Sequence, residues 1–434
     1  MNFSLCATGD SFVCVSQPAD SIQVDEQIQQ SIAECDVRLT NLETIIRRDE
    51  GAPSAQSGGT WASSLPESLD LLKKYHFNAL SMANNHSLDY AIEGMQATRR
   101  YADATGFVHS GTGDTLSDAA APATLLTAAG KVALISGSST FHPSWLAADP
   151  RAQGPGRPGL NPLRFKTRYG ITSEQMEALK QIAKTTLINA QNDTSIKDGF
   201  LTAPPPEIFS FGSHDFFIAE PDACGEFTTP QPEDLVRLTS HIEAAAASHD
   251  LVVVSIHSHE PKDGRKDLPA QFLIDYAHAA IDAGAHAVIG HGPHVLRGIE
   301  IYRNRPILYS LGNFIFQNEA VAWLPSDYYA KYKIDSSLST KEAFATRSAH
   351  NTRGFAVQPK IWQTVLARMQ FENGSLAKLV LDPLALNRDA EFPQRGLPEP
   401  TTTPDAFQQI ITLSKPFKTT FSQKNNQLIW TPSV

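Results

Sequence analysis

Short apolar runs recur along this chain, and each ends abruptly in polar residues. Residues 3–7, 37–42, 79–82, 131–136, 251–256 and 287–289 are too short for helices and rich in aliphatic side chains, as strands buried on both faces are. Between them, residues 20–33, 66–75, 90–104, 232–248 and 269–283 carry apolar side chains at helical spacing. Strands alternating with helices predict an α/β fold built on largely parallel sheets. Such sheets bind ligands beyond the carboxyl ends of their strands, so the residues placed there carry the functional reading.

Those residues are metal-ligand types. Asp10, Glu43, Asn85 with His86, His257 with His259, and His291 with His294 follow or end five of the strands. Each has a plainer explanation alone: Asp10 as a helix cap, Glu43 as an exposed charge, Asn85 as a turn residue, His86 as a packed core side chain. Two histidines in the turn Gly290-His291-Gly292-Pro293-His294 have little packing purpose, and His257 is placed in the same way. A mixed oxygen and nitrogen set suits Mn, Fe or Zn. Two such divalent cations can share a bridging carboxylate and activate water at neutral pH. His259 and Glu260, just past His257, are assigned to substrate contact.

The rest of the chain adds boundaries. Residues 137–230 are rich in Pro and Gly around one expected helix at 173–191 and read as a long insertion or lid. Residues 299–302 and 306–310 flank the turn Arg303-Asn304-Arg305, and residues 318–355 read as irregular. Residues 360–382 alternate about Glu372-Asn373-Gly374, a hairpin signal. The tail beyond Pro393 reads as a loosely packed arm. Lys plus Arg is 36 against 46 Asp plus Glu, a net charge of −10, which argues against a nucleic-acid or anionic-membrane binder. Four scattered cysteines form no C-x-x-C pair. No apolar run is long enough to span a membrane and the first residues lack a signal-peptide pattern, so a cytoplasmic location is expected.

Taken in order, Thr8-Gly9-Asp10, Asn41-Leu42-Glu43, Ala83-Asn84-Asn85-His86-Ser87-Leu88-Asp89-Tyr90, Ile256-His257-Ser258-His259-Glu260-Pro261, Gly290-His291-Gly292-Pro293-His294-Val295 and Ser310-Leu311-Gly312-Asn313-Phe314 resemble the CapA family of poly-γ-glutamate capsule biosynthesis proteins. The resemblance implies a calcineurin-like metallophosphatase sandwich of two mixed sheets flanked by helices. It would occupy residues 1–320, with the insertion at about 137–230, and an extension at 321–434 would add a hairpin that completes it. It also implies roles. Asp10 and His294 would hold one metal, Asn85, His257 and His291 the other, and Glu43 would bridge them. His86 would contact substrate and protonate the leaving group. Phe12 stands where many metallophosphatases carry a histidine, which implies one nitrogen ligand fewer at the first metal.

Arg157-Pro158-Gly159-Leu160-Asn161-Pro162 resembles the family's insert. Arg157 and Asn161 are either anion-binding residues or parts of a rigid loop. Asn313 either faces the site or only turns the chain into Phe314. The implied function is hydrolysis of a phosphoester or related bond in capsule metabolism, on an anionic small molecule or polymer. The alternative is a metal-containing binding or assembly protein for an anionic polymer.

Overall fold

The computed structural model describes residues 2–15, 17–403 and 405–432. It is a mixed α/β structure in which, among the described residues, two large sheets of ten and six strands share one core. The first sheet is centred on β1 (Asn2–Phe12), β2 (Val37–Leu42) and β3 (Ala79–Ser81), all parallel. The second is centred on β4 (Gly130–Ser138), β5 (Leu251–His257) and β6 (Ala287–His291), again parallel. A further short strand, β7 (Asn313–Phe316), lies parallel to the end of β1.

Alternation along the strands builds the layers. Leu5 and Ala7 of β1, Leu39 of β2, Leu134 of β4, Val253 of β5 and Ile289 of β6 meet in the core between the sheets. The intervening residues face outward onto helices. Cys6 and Leu80 pack with Ile28 and Ile32 of the helix Glu26–Ala33 and with Leu69 and Leu72. Val252, Val254 and Val288 pack with Leu238, Ile242, Phe272 and Tyr276 of the helices Pro232–Ala246 and Gln271–Asp282. Period 2 in the strands and period 3.6 in the helices therefore meet on the same sheets.

Where β1 passes β7 the backbones nearly touch. A Cβ on Gly9 would lie 2.1 Å from the Gly312 carbonyl oxygen, so only glycine fits beside Asp10. This approach aligns Asp10 with both Asn41 and Asn313.

Three peripheral segments differ from expectation. The helix expected at 173–191 is two, Ser173–Thr186 and Ala190–Lys197, because Leu187 turns left-handed at φ 58° and ends the first. They accompany a four-stranded sheet that includes Phe165–Ile171 and Gly225–Pro230, attached to the body by stacking of Phe165 on Phe272 at 4.2 Å. Residues 318–355 hold the helices Ser326–Tyr332 and Thr340–Arg347, the latter started by a Ser339–Glu342 capping box. The tail is not a loose arm. Its helix Asp405–Ser414 buries Phe407 and Ile410 in the shared core, and Gln427–Trp430 pairs with Ser375–Leu386 at the edge of the large sheet. Covering that edge removes an unpaired strand, a tertiary gain that Pro- and Thr-rich composition conceals. Among the described residues no helix is long and apolar enough to cross a membrane.

Candidate metal centre

The parallel strands of both sheets deliver their carboxyl ends to one place. Within the second sheet, His257 ending β5 is in register with His291 ending β6. Asp10 near the end of β1 faces them from the first sheet. Its Oδ1 lies 3.4 Å from His291 Nδ1 and 4.0 Å from His257 Nδ1, and its Oδ2 lies 3.8 Å from His294 Nδ1. Glu43, just beyond β2, lies 3.8 Å from His257 Nε2 through Oε1 and 3.9 Å from His294 Nδ1 through Oε2. Asp10, Glu43, His257 and His291 are all fully buried.

Neighbours fix these side chains. Asn41 Nδ2 donates to Asp10 Oδ1 at 2.8 Å, and the Gly292 amide donates to Oδ2 at 3.0 Å. Asn313 Nδ2 donates to the Ile361 carbonyl at 3.1 Å, which turns its Oδ1 toward His294 Nδ1 at 2.8 Å. Asn313 is thus a positioning residue for His294. His294 itself takes φ 58°, left-handed, to turn its ring back into the cluster.

Electrostatics follow from burial. Burial pushes Glu43 well above the usual carboxylate range, and the charges of Asp10 and Asp89 push the same way. Burial would also raise Asp10, but the adjacent His291 side chain outweighs it and holds Asp10 below that range. Burial lowers His257 to about 3, and lowers His259 and His294 in the same direction. These three imidazoles are therefore neutral at pH 7 and hold lone pairs available to a cation.

The donor set fits divalent metal. Both oxygens of Glu43, Oδ1 of Asn85 and both ring nitrogens of His291 are buried with no hydrogen-bond partner. Such groups cost on the order of 1–3 kcal/mol each when left bare, and cations would satisfy them together. Asn85 Nδ2 donates to the Gly58 carbonyl at 3.2 Å, leaving Oδ1 as the free end. Beside it, His86 Nδ1 lies 2.6 Å from Asp89 Oδ2. Asp89 is held in turn by the amides of Gly58 and Ala62. Phe12 packs edge-on against His86 with centroids 5.1 Å apart.

Three expected substrate contacts are committed elsewhere. Arg157 is exposed and donates through Nε to the Leu146 carbonyl at 2.8 Å, holding a loop. Asn161 is fully buried, donating to the Ser136 carbonyl at 2.8 Å and accepting from Arg237. The Glu260 carboxylate accepts from Ser139 Oγ, Thr140 Oγ1 and Ser258 Oγ at 2.6–3.1 Å. All three answer a structural need for a partner, which loop composition does not reveal. His259, two residues past the end of the strand, joins the ligand cluster: Glu43, His259 and His294 have ligand atoms within 4.8 Å of one another. Asp89 and Asn41 were given no role by sequence reasoning. Asp89 could have been found three residues after His86, on the same turn.

This chain is similar to known proteins over most of its length. The family described as "Bacterial capsule synthesis protein PGA_cap" matches residues 5–318. An uncharacterized protein, y4sH, of Sinorhizobium fredii is 33% identical over 430 residues, covering 96% of this chain and 90% of that one. The PGA biosynthesis protein CapA of Bacillus subtilis is 26% identical over 255 residues, 58% of this chain and 45% of that one. The capsule biosynthesis protein CapA of Bacillus anthracis is 31% identical over 157 residues, 35% of this chain and 38% of that one. A match that runs from β1 to the end of β7, across every strand end that feeds the buried donors, makes this chain a member of the bacterial capsule synthesis protein PGA_cap family.

Proposed function

We propose that this chain is a metal-dependent hydrolase of the calcineurin-like metallophosphatase type, cleaving a phosphoester or related bond on an anionic substrate. The observation that carries the reading is the set of buried, partnerless donors on Glu43, Asn85 and His291. Asp10, Glu43, Asn85, His257, His291 and His294 would hold two divalent cations, Mn, Fe or Zn. Bound there, such ions supply Lewis-acid polarisation of the scissile group and activation of water.

The protein's own contribution is placement. Asp10, His257 and His291 sit on strands near their ends, and Glu43, Asn85 and His294 follow in the loops just beyond strands. Asp89 accepts from His86 at Nδ1, which keeps that proton in place and leaves Nε2 to pass a proton to the leaving group. The names of the Bacillus relatives suggest capsule or poly-γ-glutamate biosynthesis as the setting.

Turnover of p-nitrophenyl phosphate and bis-p-nitrophenyl phosphate by Mn-loaded protein tests the reading. His86→Ala is expected to lose roughly 10²–10⁴-fold in kcat with metal content unchanged. No turnover by metal-loaded wild type, with retained binding of poly-γ-glutamate, would replace the hydrolase with a binding protein for an anionic polymer.

A further inference from the structure

Resting on the two-cation reading above, we propose that His259 is itself a metal ligand, closing one cation position with Glu43 and His257, and that Arg297 is the positioning residue that holds it there. The three atoms form a closed triangle. His257 Nε2 and His259 Nε2 are 3.0 Å apart, and Glu43 Oε1 is 3.8 Å from the first and 4.0 Å from the second. The last two separations exceed hydrogen-bond length, and Glu43 Oε1 has no hydrogen-bond partner although fully buried. Ligands about 2.0–2.2 Å from one zinc ion stand roughly 3.0–3.5 Å from each other. The two imidazoles are within hydrogen-bond distance of each other, but Glu43 Oε1 is not within it of either, which leaves that buried oxygen to a cation shared among the three.

The placement of His259 is built, not incidental. Strand β5 ends at His257, and the next three residues turn across the pocket. Arg297, fully buried, clasps that turn from behind. Its Nη1 donates to the Ser258 carbonyl at 3.1 Å, its Nη2 to the carbonyls of Glu260 at 2.9 Å and His259 at 3.4 Å, and its Nε to that of Lys266 at 2.9 Å. Four carbonyls on one buried guanidinium leave it without a carboxylate contact, a costly arrangement that makes sense as a clamp. The His259 amide donates to Thr140 Oγ1 at 2.9 Å, and the Ser258 amide to the His291 carbonyl at 2.9 Å. On the remaining side lies Gly292, at φ 114°, where a Cβ would come within 3.1 Å of His259. The turn is thus held at its backbone from three directions, and only the imidazole is left to face the cluster.

The nitrogen that Phe12 does not supply belongs to the other cation position, so this assignment adds a ligand beside His257 rather than replacing the missing one. The Phe12 side chain packs on His86 and brings no donor, while His259 comes from the opposite sheet, its ligand atom grouped with those of Glu43 and His294. The centre then counts four imidazoles, from His257, His259, His291 and His294, beside its oxygen donors.

The test is Zn²⁺ titration of chelator-stripped full-length protein, in competition with a chromophoric chelator, read as stoichiometry and affinity. Wild type is expected to take up two equivalents. His259→Ala, which opens no core cavity because the side chain is partly exposed, should keep one equivalent and bind the second at least tenfold more weakly. Arg297→Lys, which keeps the charge but loses the forked donors, should weaken the same equivalent while leaving the other intact. Co²⁺ substitution supplies an independent signature: the visible absorption of wild type should change in intensity and position in His259→Ala. Two equivalents at wild-type affinity in His259→Ala, with an unchanged Co²⁺ spectrum, would overturn this assignment alone. No Zn²⁺ uptake by wild type would overturn it together with the two-cation reading.

Discussion

Glu43 shows most sharply what single residues do here. It is fully buried, has no hydrogen-bond donor on either oxygen, and is pushed by burial toward the protonated form. In the cation-free protein such a carboxylate opposes folding rather than aiding it. Glu43→Gln removes the ionisable group at nearly constant shape. The cation-free variant should therefore be at least as stable as cation-free wild type in urea, while losing the stabilisation that added Mn²⁺ gives wild type. A loss of about 2 kcal/mol or more in the cation-free variant would mean that the carboxylate serves the fold by itself. Asp10, Glu43, Asn85 and the histidines were legible in the sequence because ligand types followed apolar runs. The approach of His259 to Glu43 and His294 was not, and Arg157 and Asn161 stayed open between anion binding and a rigid loop because a buried or tethered polar side chain looks the same in sequence as a free one.

At the scale of elements, the site depends on how closely strands cross. β1 and β7 meet at Gly9 and Gly312, and the resulting register carries Asp10 beside Asn313. Gly9→Ala would drive a methyl group against a backbone oxygen that cannot swing away, at a cost of about 3 kcal/mol or more, seen as a lower urea midpoint or loss of soluble protein. A variant within about 1 kcal/mol of wild type would show that the crossing is looser than described. The strands were legible because burial on both faces gives unbroken aliphatic runs, as in Leu251–His257. The helix Asp405–Ser414 and the strand Gln427–Trp430 were not. The strand owes its place to Ser375–Leu386, with which it pairs, and the helix to the core it fills, and both partners exist only after the chain has folded.

For the whole molecule, two sheets bring the ends that carry Asp10, Glu43, His257 and His291 together, so a cation held there would couple its binding to folding. A cation held only by the folded state stabilises it by about 2.7 kcal/mol at a hundredfold excess over Kd. Melting should therefore shift upward on adding Mn²⁺ or Zn²⁺ to stripped protein and return on adding a chelator. Identical melting in both conditions would show that the strand ends hold no ion. The net charge of −10 is no obstacle to an anionic substrate, because cations held at this cluster would set the local field. Most direct of all is anomalous diffraction from a crystal soaked in Mn²⁺. The account predicts two peaks within the cluster of Asp10, Glu43, Asn85, His257, His291 and His294, with Glu43 touching both. Peaks confined to surface carboxylates, with none among these side chains, would contradict it.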